Sequence, residues 1–186
     1  MRKLFCLIMV CILASVFVSV SNVSALSKNK ILNTQWLISG TMNVYLLATG
    51  QFLGAAAGGS GIISINETID NGSEIEVTGT YAITFDTTLA EPLVLGARSD
   101  FTLSETTYNA TTSLLKGTHC VVNISYPEGV PEPGLNYEGV CNSTITFTSA
   151  TTFKGQTSFN VDLGGVRVVI EMSGRLLGKV LPLPPP

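Results

Sequence analysis

The stretch Glu74 to Asp86, EIEVTGTYAITFD, decides the fold class. Ile75, Val77, Gly79, Tyr81, Ile83 and Phe85 fall on one face of an extended chain; Glu74, Glu76, Thr78, Thr80, Ala82 and Thr84 fall on the other. A period of two marks a strand with one face buried and one in water. The same stripe runs through Trp36, Ile38, Gly40, Met42, Val44 and Leu46. A third begins at Phe159, Val161 and Leu163, breaks at Gly164-Gly165, and resumes through Val166, Val168, Ile170, Met172 and Gly174. Two alternating runs around a glycine pair predict a tight β-hairpin. Asn142 to Phe153, with Ile145 and Phe147 alternating, reads as a further strand, and Ile62 to Ile69, Leu93 to Leu103 and Leu114 to Tyr126 complete the set. No helical stripe of useful length stands beside them. One turn of helix over Gly54 to Ala57 is admissible, but the following Gly58-Gly59-Ser60-Gly61 argues for a loop.

Prolines avoid these runs, as ladder hydrogen bonding requires. Pro92 opens a strand, Pro127, Pro131 and Pro133 mark a loop from Tyr126 to Asn136, and the remaining four end the chain. Glycines recur inside the strands instead, at Gly40, Gly79, Gly117, Gly155 and Gly174. Glycine inside a strand weakens it unless it permits a bend or a close approach, so repeated ones suit a sheet that curls on itself. The expected fold is all-β, a single antiparallel β-barrel or strongly curled β-meander of about eight strands. A flatter sandwich is the alternative.

At 186 residues the chain has material for one domain. Ten basic against thirteen acidic residues exclude a generic nucleic-acid binder, which needs a basic face. Met1-Arg2-Lys3 followed by the apolar Leu4 to Val20 and the small residues Val23-Ser24-Ala25 reads as a secretory signal peptide over residues 1–25. An uncleaved anchor is the alternative, because the apolar run approaches spanning length. Cleavage after Ala25 leaves a barrel domain over 26–180 and a Pro-rich disordered tail over 181–186, with eight basic and thirteen acidic residues. The expected location is secreted, periplasmic or cell-surface, with no transmembrane helix after cleavage.

Cys120 and Cys141 are the cysteines beyond the leader. Paired cysteines in an exported chain predict a disulfide, worth about 3 kcal/mol at this spacing. A metal site built on His119 and Cys120 lacks further ligands at metal-site spacing, so no metal and no cofactor is expected. Asn66, Asn71, Asn109, Asn123 and Asn142 each begin an Asn-x-Ser/Thr triplet and are candidate glycosylation sites.

No nucleophile elbow, zinc-protease helix or phosphate loop is present. His119 precedes Cys120 in a strand, so an inward Cys120 turns His119 outward to solvent. Arg98 and Asp100 share a strand face and read as a surface ion pair. The chain is therefore expected not to be an enzyme. Val44 to Ala57 carries no charge. It fits buried core, a lid hinged at Gly58 to Gly61, or a patch that meets lipid or a partner, and core is the default.

A Trp near the start of the first strand, within a small exported chain of curled antiparallel strands, resembles the lipocalin-like (calycin) barrels. Thr34-Gln35-Trp36 lacks the glycine that usually stands two residues before that Trp, and no binding residues carry over. Taken together, these readings give an exported noncatalytic binding module whose inward residues Trp36, Met42, Tyr81, Phe85 and Ile170 would line a site for a small apolar ligand. The same residues serve equally as packed core. A structural or interaction protein of the cell surface or envelope is the alternative, with an outer-membrane barrel behind it.

Overall fold

The computed structural model describes residues 25–67, 75–85, 97–126, 135–161 and 165–180. A single helical turn, α1 (Lys28–Ile31), leads into eight strands: β1 (Thr34–Leu46), β2 (Phe52–Glu67), β3 (Ile75–Phe85), β4 (Ala97–Asn109), β5 (Leu114–Ser125), β6 (Leu135–Phe147), β7 (Thr152–Val161) and β8 (Val166–Lys179). Each pairs antiparallel with its sequence neighbours, and β8 returns to β1, so the sheet closes into an up-and-down barrel. Among the described residues every strand has a neighbour on both sides, so the sheet has no edge strand, the usual hazard of an open sheet. Among the described residues no helix is long and apolar enough to cross a membrane.

The alternation that predicts strands also sets their faces. Trp36, Ile38 and Met42 of β1 and Ile75, Val77, Tyr81 and Ile83 of β3 are buried, while Leu37 and Ala82 between them are exposed. Phe85 pairs with Ala57 through the backbone, and its side chain lies outside the described residues. Arg98 and Asp100 do form an ion pair on the outer wall, at 3.1 Å.

Three expectations are corrected. Gly54 to Gly61 is not a loop or hinge but the middle of β2, paired along its length with β1. A side chain at Gly59 would put a Cβ 2.0 Å from the Ala82 carbonyl oxygen, so its bare backbone is what lets β3 come close. Asn142 to Phe153 is two strands, because Thr148 to Thr151 turns the chain. The Thr148 and Ser149 hydroxyls both reach the Thr152 hydroxyl, at 2.8 and 2.7 Å. The expected Cys120–Cys141 disulfide is also not present: both are free, buried thiols. The register puts Cys120 opposite Gly139 rather than Cys141, past an irregularity between Gly117 and His119. β7 and β8 do pair as a hairpin, with Val161 opposite Val166 and Gly165 at φ 60°; Gly164 lies outside the described residues. The leader and the tail fall outside the described residues, apart from Ala25, as do Asn71 and most of the Tyr126 to Asn136 loop.

The barrel is plugged at one end. Trp36 is wholly buried, with ring centroids 5.5 Å from Phe147 and 5.3 Å from Phe153, and Tyr108 adds an edge contact to Phe147 at 6.2 Å. The indole N–H donates to the Thr34 hydroxyl at 2.8 Å, and that hydroxyl donates onward to the Ile31 carbonyl. The segment before α1 is latched over this plug. The Leu26 amide donates to Ser113 Oγ at 3.0 Å, and the Tyr108 hydroxyl donates to the Leu26 carbonyl at 2.6 Å.

Candidate functional site

Toward the other end the interior is hollow. A cavity of about 300 Å³ lies between the aromatic plug and the rim that carries the β1–β2 and β7–β8 turns. Met42 of β1, Tyr81 of β3 and Ile170 of β8 line it, as the alternation predicts, with Ile38, Ile83 and Val168 beside them. Trp36 does not: it sits a layer below, where Phe147 and Phe153 close around it and leave no space.

Tyr81 spans the wall where side chains are missing. Its hydroxyl donates to the Gly40 carbonyl at 2.7 Å, and its ring lies over Gly59, where a Cβ would come within 2.9 Å of it. Burial pushes the phenol above its usual range, because an ionised oxygen there would lose its water.

Hydrophobic pattern alone misses the polar strip on the facing wall. Ser143 and Thr157 are directly opposed on β6 and β7, with hydroxyl oxygens 2.8 Å apart, and Ser99 faces the same space from β4. Beside them the Cys120 thiol meets the Cys141 thiol. The hydrogen bond to Cys141, with burial, pushes Cys120 far up, and the same bond lowers Cys141. The reverse signs follow from Cys120 giving and Cys141 receiving the proton. Among the described residues no Asp, Glu, Lys, Arg or His lines the cavity, so an ion beside these walls would shed its hydration with no opposite charge to meet it.

The remaining candidates lie on the outer wall. His119 is half-buried there, its Nδ1 3.3 Å from Ser104 Oγ. Among the described residues no three His, Cys, Asp or Glu side chains gather as a metal site. Asn109, Asn123 and Asn142 are exposed and Asn66 is half-buried. Asn109 folds its side chain back to accept the amides of Thr111 and Thr112, at 3.0 and 3.2 Å.

No family model matches the chain, and no curated protein matches it. A solved structure similar to it is a beta-barrel-like protein of domain of unknown function DUF1849 from Brucella abortus. The two are 8% identical with a TM-score of 0.29, over 81% of this chain and 99% of that one. The closed barrel rests on the strand pairing described above, and the lipocalin-like resemblance gains no support from these matches.

Proposed function

We propose that this chain is a noncatalytic binding barrel that takes one small, neutral, mostly apolar molecule into its interior, and that it works after export. The observation that carries this reading is the cavity of about 300 Å³, whose lining among the described residues carries no charge. That is about twice the size of an engineered apolar cavity that takes benzene, and it stands at the lower edge of ligand pockets. The Ser143–Thr157 hydroxyl pair supplies a place for one hydroxyl or carbonyl group. The apolar face turned inward is the inverse of what a lipid-spanning barrel needs, and it supports the binding reading over an outer-membrane one.

The test compares 1-octanol with octanoate near neutral pH by thermal unfolding. Octanol is expected to raise the melting temperature with saturation, since a ligand bound only by the native state adds RT ln(1 + [L]/Kd). Octanoate is expected to leave it unchanged. Ser99→Leu, which fills part of the hollow, is expected to abolish the octanol effect. Equal effects of both compounds, or an octanol effect that survives Ser99→Leu, would refute the reading.

A further inference from the structure

From Ile31 to Asn66 the chain carries no Asp, Glu, Lys, Arg or His. That span is the β1–β2 hairpin. Its base buries one face against the barrel core and leaves the Leu37–Ile62 pair exposed on the outer wall, whereas its tip has no core beneath it. Leu47, Phe52 and Leu53 are 41%, 47% and 40% exposed, clustered around one turn. The tip is held rather than loose. The Leu46 amide donates to the Gln51 carbonyl at 2.8 Å, the Gly50 amide returns to Leu46, and the Leu47 amide reaches across to Gly165. Tyr45 and Phe52 pack ring to ring at 5.5 Å. Water contact at three large apolar side chains on a fixed tip is unfavourable, and nothing in a folded monomer requires it.

We infer that this tip inserts into the interface of a phospholipid bilayer. Three features favour lipid over a protein partner. The tip is a single hairpin turn between Leu46 and Phe52, so it enters a fluid medium without needing a shaped groove. It joins aromatic rings to leucines, the pairing enriched where hydrocarbon meets headgroups. Behind it, directly opposite Tyr45 on β8, stands the exposed Arg167, whose guanidinium donates to Ser158 Oγ at 3.3 Å and would have to swing from there toward the rim to meet lipid phosphate. The rim at the cavity mouth would then face the membrane, with Val166 lining the cavity and pairing with Leu46 at the base of the tip. The inference is independent of the cavity reading, since a barrel with a filled interior would dock by the same tip.

The experiment uses the full chain with phosphatidylcholine–phosphatidylglycerol vesicles containing brominated lipid. Phe52→Trp places a second tryptophan at the tip, while Ala150→Trp places one on the exposed β6–β7 turn at the plugged end. Expected is strong quenching at position 52 and none at 150. In a second arm, Leu47→Glu with Phe52→Glu is expected to weaken vesicle association by about tenfold or more and to leave the octanol-induced thermal shift unchanged. Equal quenching at both positions, no quenching at 52, or undiminished association of the glutamate variant would each overturn the inference. Loss of the octanol shift in the unmodified chain would count against the cavity alone.

Discussion

Trp36 separates the part of the barrel that holds the fold from the part that is hollow. Trp36→Ala removes a wholly buried side chain held between Phe147 and Phe153. Large-to-small aromatic changes in cores cost about 3–5 kcal/mol. The upper half of that range is expected, because the flanking rings belong to β6 and β7 and cannot close the gap without moving the wall. Trp36→Phe keeps a ring but loses the indole donor to Thr34, 2.8 Å away, at about 1–2 kcal/mol including the lost volume. For a chain of this size each kcal/mol moves the melting temperature by about 2–4 °C. The alanine variant should therefore melt some 8–20 °C lower and the phenylalanine variant about 2–8 °C lower. Urea unfolding followed by circular dichroism suits both, since the sole tryptophan is the residue removed. Octanol binding by Trp36→Phe is expected to match the unmodified chain. A cost below about 1 kcal/mol for Trp36→Ala, or octanol affinity that falls with Trp36→Phe, would refute the division into plug and cavity.

Other outcomes follow from single contacts. Gly174→Ala places a Cβ 2.0 Å from the Phe153 ring and is expected to lose about 1–3 kcal/mol by overpacking, measured by the same unfolding curves. Burial raises the Tyr81 phenol, so the unfolded chain ionises first. The stability it contributes is complete below about pH 10 and falls as pH rises through the higher folded value. Tyr81→Phe should shallow that alkaline decline in a pH series of melting temperatures, leaving the part due to the similarly raised Tyr108. Alkylation of denatured, unreduced protein should label the peptides bearing Cys120 and Cys141, whereas the native chain should react slowly at both because they are buried; a linked, unlabelled pair would contradict the free thiols.

The period-two stripes of β1, β3 and β8 were readable because each alternates large apolar with small or polar residues over many positions. In β2 only the part from Ile62 onward was; the part before it was not, because Gly58 to Gly61 answers to its neighbours: Gly59 is bare for the sake of Ala82 and Tyr81, a relation invisible within one strand. Thr148 to Thr151 hid a turn because threonine suits strands and also ties turns through its hydroxyl. Within the candidate site, Met42, Tyr81 and Ile170 could be picked by facing alone. Trp36 shares their face, yet whether a layer is filled or hollow depends on which rings β6 and β7 deliver to it. Ser99, Ser143 and Thr157 escaped notice because polar residues at inward positions break the hydropathy pattern rather than follow it. The cysteine pair was legible as neighbours but not as diagonal ones, since the irregularity near His119 shifts the register.

The hydrogen bond from the Val180 amide to the Asn33 carbonyl, at 2.7 Å, brings the first and last strands together on the plugged rim. A short peptide joining Val180 to Ala25 should thus permit circular permutation, with new ends opened at an exposed turn such as Thr148 to Thr151. The chain could equally be tethered to a support from this side, leaving the hollow end and its greasy fingertip pointing into free solution.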